Sequence, residues 1–297
     1  MKKQEKYKCY FCPACNWIGN QLKNDICPNC GHNIYDGFFS FKEPQWLRTD
    51  DPIFVAFLDI LGFKNLVMNN TISSLFQVYD QFLKRMENSK TFSELSYSHE
   101  SFRNSIINSL FVSDSLILWT EDFSQISLYK LTGLVSMLIA ESFLQGTPVR
   151  GAIDLGEIAV RTTWTNQTIV GKGLTNAYES EESQEWAGCL VSERCIEQFN
   201  KLADIQDGLK NDYLFDINLL IHYPIPVKGE QSKNNAAVNW TYLINKEFLS
   251  KEIIAESFNK YNKDSNDNRT QKKIDNTLKF YDFTKNKTIR DLKNKDF

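Results

Sequence analysis

Apolar residues recur along this chain in two periods. Ile53–Asp59 (IFVAFLD) is an apolar run of strand length, closed by one carboxylate and patterned for burial on both faces. Behind it, Ile72, Leu75, Phe76, Tyr79, Phe82, Leu83 and Met86 repeat at helical spacing. Ile106–Val112 and Ser115–Trp119 read as two strands joined by a tight turn at Ser113–Asp114. Leu128, Leu131, Val135, Leu138, Ile139 and Phe143 mark a second long helix, which Gly146 stops. Pro148–Ile153 and Glu157–Val160 predict another strand pair, Leu174–Glu185 a helix and Ala187–Val191 a strand. Ser192 is placed to cap a helix through Leu202, and Tyr213–His222 and Ala236–Ile244 are the last strand candidates.

The order strand, helix, strand–strand, helix, strand is the split βαβ arrangement of ferredoxin-like folds. It predicts an α+β fold, an antiparallel sheet with helices on one face. Four segments follow from the composition: a cysteine-rich stretch (1–38), a connector (39–51) ending at a breaker before Pro52, a main domain (52–245), and a helical C-terminal extension (246–297). The extension is rich in Lys, Asn and Asp. Its two helical stretches, Lys246–Tyr261 and Lys272–Phe283, read as packed helices and not as a separate catalytic unit.

Charge and composition narrow the partners. Hydrophobic residues at 42% and charged residues at 24% exclude wholesale disorder. A net charge of −3 gives no overall pull toward nucleic acid or anionic membranes. The longest apolar run, Leu131–Leu144, is interrupted by Ser136, Glu141 and Ser142, so no membrane span is expected. The basic N-terminus has no apolar segment behind it to act as a secretory signal, and the expected location is the cytoplasm. There the seven cysteines would be thiols or metal ligands.

Four of them form two C-x-x-C knuckles, Cys12/Cys15 and Cys27/Cys30, spaced for a closed tetrahedral Zn²⁺ site. Cys9 and His32 are spare. Such a site is structural, and direct nucleic-acid binding is not expected, because Trp17, Lys8 and Lys23 make no basic–aromatic stripe. Cys189 and Cys195 are small core residues.

The candidate chemistry sits in FLDILGF and FVSDSLIL. Asp59 ends a buried strand, and Gly62 and Phe63 open a helix whose 61–63 backbone is a candidate phosphate cradle. Asp114 lies in the next hairpin turn, beside that strand in a split βαβ sheet. Taken singly, each Asp is a capping or turn residue. Together they form an oxygen-donor pair suited to Mg²⁺ or Mn²⁺.

These residues resemble the class III nucleotidyl cyclase pattern F-x-D-I-x-x-F followed by a hairpin Asp, here Phe57, Asp59, Ile60, Phe63 and Asp114. The resemblance covers roughly 52–192, including PVRGAIDLGEI (148–158). It implies that Asp59 and Asp114 hold two divalent ions with the Ile60 carbonyl. It also implies a homodimer in which Asp59 and Asp114 face the partner's 169–188 segment. Within the class, Ala177-Tyr178, Glu181, Gln184 and Trp186-Ala187-Gly188, with Tyr223–Trp240, look like the pyrimidine cyclases of bacterial Pycsar anti-phage systems. Those relatives imply UTP or CTP as substrate and cyclic UMP or cyclic CMP as product.

Leu110 and Ile169 stand where purine cyclases carry polar groups that read the base, which argues against ATP and GTP. Asn176 matches the family's substrate-binding Asn, but Ser180 stands where the family has a transition-state Arg. Arg150, Lys172 and Lys228 are candidate replacements, with surface exposure the plainer reading for the two lysines. IVGKGLTN lacks the glycine and hydroxyl of a phosphate loop, and His32, His99 and His222 have no nucleophile at recognisable spacing. Two other readings stay open: a degenerate cyclase-homology domain that binds without catalysis, and a palm-type nucleotidyltransferase.

Overall fold

The computed structural model describes residues 10–11, 18–19, 46–49, 51–95, 105–162, 167–203, 212–229, 233–242, 248–263 and 267–291. The knuckle cysteines Cys12, Cys15, Cys27 and Cys30 lie outside the described residues, and with them the zinc expectation. Two compact units are present.

The smaller unit comprises residues 1–47 and 159–169. In it, strands β1 (Tyr10–Phe11) and β2 (Ile18–Gly19) pair antiparallel. Its other sheet has the order β3 (Trp46–Arg48), β8 (Ala159–Thr162), β9 (Gln167–Val170).

The larger unit joins 48–158 to 170–297 and holds the core. Its strands are β4 (Ile53–Ile60), β5 (Ile107–Val112), β6 (Ser115–Thr120), β7 (Val149–Gly156), β10 (Cys189–Val191), β11 (Leu220–Ile225) and β12 (Lys233–Val238). They form one sheet of order β11-β12-β10-β7-β4-β6-β5. Every pairing is antiparallel except β10 against β7. The helices are α1 (Phe63–Met68), α2 (Ile72–Leu95), α3 (Gln125–Gln145), α4 (Lys172–Glu182), α5 (Glu193–Ala203), α6 (Tyr213–Asp216), α7 (Lys251–Ser257) and α8 (Asn268–Asp291).

Alternation along β4 sorts its side chains between two layers. Phe54, Ala56, Leu58 and Ile60 join Leu131, Leu134, Val135 and Leu138 of α3 in the main core. Helix α3 is long and apolar enough to span a membrane by composition, but most of its apolar side chains are buried in this core. Ser124 caps its start, accepting from the Ser127 N–H at 3.2 Å, and Gly146 ends it at φ 82°.

The other face of β4 carries Val55, Phe57 and Asp59, and helix α4 packs there. Gly156 and Gly173 permit the approach: a Cβ on Gly173 would lie 2.8 Å from the Gly156 carbonyl oxygen and 2.9 Å from Val55 Cγ2. Phe57 meets Tyr178 of α4 edge to face at 5.4 Å. The expected single helical layer is therefore incomplete, because this glycine contact joins residues distant in sequence.

Other departures are local. Within Tyr213–His222, the first residues form the helical turn α6, and the strand starts only at Leu220. Glu157–Val160 contributes its last residues to a strand of the three-stranded sheet. Helix α7 is shorter than the expected Lys246–Tyr261, and α8 extends beyond Lys272–Phe283 at both ends. Phe280 of α8 packs against Trp186 at 4.8 Å and Tyr223 at 4.8 Å, which places this helix inside the main core.

Candidate metal and nucleotide site

Asp59 occupies the penultimate position of β4, opposite Ser115 of β6 on one side and Arg150 of β7 on the other. Its carboxylate accepts a bond from Ser115 Oγ at 3.4 Å. The next residue fastens the hairpin: the Ile60 N–H donates to the Asp114 carbonyl at 3.1 Å. Asp114 is the second residue of a two-residue turn, and Ser113 before it takes the left-handed region at φ 59°. Tyr79 of α2 holds that turn, its hydroxyl donating to the Ser113 carbonyl at 2.9 Å. The Tyr79 ring packs edge-on against Phe63 at 6.0 Å and Phe111 at 5.7 Å.

Electrostatics single out this corner. Burial raises Asp59 to a pKa of about 7, and the charges of Glu181 and Asp114 add to the rise. Arg150 and the Ser115 hydroxyl oppose it. Tyr79 is pushed up to about 12 by burial and by Asp114. Glu181 lies buried in the last turn of α4 and is also raised by burial, although Arg150 pulls against it. The Arg150 Nε donates to Glu181 Oε1 and its Nη1 to the Gln184 carbonyl at 2.8 Å.

The donor chemistry fits a hard cation. Two carboxylates interact at a strand end, and one is held in a protonatable state by burial and by like charge, a cost that a bound cation would relieve. Among the described residues no cluster of three or more His, Cys, Asp or Glu gathers for a metal.

The remaining expected site residues are placed differently. Gly62 adopts φ 76°, and Phe63 begins the six-residue α1. The Leu61 N–H, a candidate phosphate donor, is already bonded to the Pro148 carbonyl at 2.8 Å. That corrects one third of the expected 61–63 cradle. Lys172 starts α4 and pairs with Glu157 at 3.9 Å with its side chain 80% exposed. Lys228 pairs with Glu182 at 3.8 Å, half exposed. Asn176 is half-buried on α4. Both lysines thus stand in solvent-exposed ion pairs of their own chain.

Ser180 donates to the fully buried Asp154 at 3.4 Å, and Arg194 and Ser192 also bond that carboxylate. The roles of Tyr79 and Glu181 escaped the sequence reading. A tyrosine in an otherwise apolar stripe was the available signal for the first, because its hydroxyl can bond where its neighbours cannot.

The backbone is similar to several solved cyclase structures. The adenylyl cyclase CyaB from P. aeruginosa matches with TM-score 0.43 and 16% identity over 69% of this chain and 100% of that one. The catalytic core of a rhodopsin-guanylyl cyclase with converted specificity, in complex with ATPalphaS, matches with TM-score 0.44 and 12% identity over 65% and 98%. The guanylyl cyclase Cya2 matches with TM-score 0.37 and 13% identity over 66% and 91%. All three are cyclases. No protein-family model and no curated protein matches the chain.

Proposed function

We propose that the chain is a metal-dependent nucleotidyl cyclase that converts UTP or CTP to the 3′,5′-cyclic mononucleotide and pyrophosphate. The observation that carries this reading is the coupled carboxylate pair, Asp59 and Asp114, held at one strand end by the Ile60–Asp114 backbone bond. Asp59, Asp114 and the Ile60 carbonyl would hold two Mg²⁺ or Mn²⁺ ions. Such ions supply acidification of the ribose 3′-hydroxyl and neutralisation of the triphosphate.

The chain's own residues do the rest. Ser115 donates to the Asp59 carboxylate, Tyr79 holds the turn that carries Asp114, Gly62 and Phe63 border the phosphates, and Arg150 supplies a buried positive charge beside Asp59. By the family resemblance, Leu110 and Ile169 stand where purine cyclases carry base-reading polar groups, which favours a pyrimidine. The resemblance also implies that two copies pair so that Asp59 and Asp114 of one face the 169–188 segment of the other. Asn176 and Lys172 of that segment, together with Lys228, would complete the site. By the same family resemblance, the cyclic nucleotide serves as a second messenger in anti-phage defence, and the enzyme works in the cytoplasm.

A binding-only role is the second reading. Ser180 is tied to Asp154 and Arg150 to Glu181, so neither is free to meet developing charge in the transition state. Incubating the purified protein with each of the four nucleoside triphosphates and Mn²⁺, with product mass measured, separates the readings. Release of pyrophosphate from UTP or CTP alone, with a cyclic mononucleotide product, supports the cyclase. A linear dinucleotide would indicate a palm-type transferase. Tight nucleotide binding without any product would overturn the catalytic reading.

A further inference from the structure

The segment from Ser257 to Lys263 lies in the C-terminal extension, for which the proposed chemistry provides no role. Three features of it bear on the turn after Asp59 and the helix that follows it. Lys263 is 4% exposed, and its Nζ donates to the Gly146 carbonyl at 2.7 Å and to the Ser257 carbonyl at 3.0 Å. Its aliphatic stem lies against Gly62, where a Cβ would meet Lys263 Cδ at 3.2 Å. At the far end of α1, Asn69 Nδ2 donates to the Asn262 carbonyl at 2.8 Å and Asn70 Nδ2 to the Tyr261 carbonyl at 2.5 Å. Tyr261 and Asn262 both take left-handed backbone, φ 60° and 56°, to present those carbonyls.

These contacts close a ring. Gly146 ends α3, and two residues later the Pro148 carbonyl accepts the Leu61 N–H. Lys263 therefore bonds one arm of the 146–148 turn and packs against the other partner, the 61–62 turn. Helix α1 is held at its first residue's side by Lys263 and at its last turn by the two asparagines.

Energetics make a purely space-filling role an inefficient explanation. The partners of Nζ are carbonyl oxygens at the C-terminal ends of α3 and α7, where the helix dipoles favour a cation. Even so, a buried ammonium is costly, and burial together with Lys260 pulls this one down to about 7. A Met or Leu would fill the same volume without that cost. What the lysine adds is a directed link between two turns.

We infer that Lys263 is a positioning residue: with Asn69 and Asn70 it fastens the Gly62–Phe63 turn and α1 to the C-terminal segment, and so sets the geometry that receives a triphosphate. This rests on the nucleotide reading above.

The test uses the full chain, with inorganic tripolyphosphate and Mn²⁺ as the binding probe. K263M keeps the stem and removes the ammonium; N70A loosens the far end of α1 and leaves the core intact. In both variants, amide exchange across 61–69 should rise at least ten-fold while exchange in β4 and β7 stays at the wild-type level. Tripolyphosphate affinity should fall at least ten-fold in K263M and several-fold in N70A. Folded variants with wild-type exchange across 61–69, or with wild-type tripolyphosphate affinity, overturn the inference. A wild-type protein that binds no tripolyphosphate overturns the nucleotide reading itself.

Discussion

The Ile60 N–H donates to the Asp114 carbonyl at 3.1 Å, so one backbone bond links the strand end carrying Asp59 to the turn carrying Asp114. Through it, an acidic side chain at a strand end and another in a hairpin turn come to one corner. Asp114 is among the groups that push Asp59 upward, after burial and Glu181.

Asp114→Asn is expected to abolish metal-dependent turnover, at least a hundred-fold, while the fold survives. The side chain sits half-buried in a turn, where substitution shifts stability by about 0.5 kcal/mol. Removing the Asp114 charge should also lower the pKa of Asp59. Turnover with Mn²⁺, thermal unfolding and the pH midpoint of metal binding check the three statements. Full activity in this variant would refute the metal assignment.

Metal affinity should depend on pH through Asp59. With its pKa at about 7, a proton competes with the cation below that pH. Mn²⁺ affinity should therefore fall about ten-fold per pH unit below 7 and level off above it. The metal-free protein has the opposite trend. Between the ordinary 3.8 and about 7 the folded state keeps a proton that the unfolded chain has lost, so Asp59's contribution to stability declines as pH rises through that window. Titration calorimetry and denaturation at several pH values read the two slopes.

Strand β4 and helix α3 were legible in the sequence because a strand's period and a helix's period are local properties, visible within a dozen residues. The positions of Asp59 and Asp114 were legible for a related reason, since a carboxylate at a strand end and another in a tight turn are marked by their immediate neighbours. Helix α4 was located, but its face was not: the Gly156–Gly173 approach joins residues with no local signal. The Tyr79–Ser113 bond and the Lys263–Gly146 bond are likewise long-range. Tyr213–His222 misled because a helical turn with Leu214 buried carries the same apolar residues as a strand.

Tyr79→Phe should separate positioning from packing. The ring contacts with Phe63 and Phe111 remain, and only the hydroxyl bond to the Ser113 carbonyl is lost, worth about 1 kcal/mol. With its pKa at about 12, Tyr79 stays a donor through neutral pH and does not act as a base. The expected result is a stability loss of that size and a five- to fifty-fold fall in turnover, with no change in the shape of the pH profile. A changed profile would point instead to a proton-transfer role.

Arg150 and Glu181 form a buried pair, with side chains 9% and 2% exposed. Removing one partner leaves the other charge uncompensated, a cost of about 3–5 kcal/mol. R150M should therefore destabilise strongly, and adding E181L should recover most of the loss. The two single changes should move Asp59 in opposite directions: losing Arg150 raises it and losing Glu181 lowers it. A double-mutant cycle in denaturant measures the coupling.

Helix α8 offers the sharpest test of what the C-terminal extension is. Phe280 is fully buried and packs against Trp186, Tyr223 and Trp240, and Thr277 Oγ1 accepts the Ala187 N–H at 2.8 Å. Phe280→Ala leaves a cavity among three aromatic rings, with an expected cost of about 3–5 kcal/mol. An appended helix would instead unfold separately, leaving a transition for residues 48–242 at the wild-type midpoint. Chemical denaturation followed by tryptophan fluorescence decides between them, because Trp186 and Trp240 belong to the sheet side of the contact. A single cooperative transition at lower denaturant is the expected outcome; two separated transitions would make α8 an accessory element.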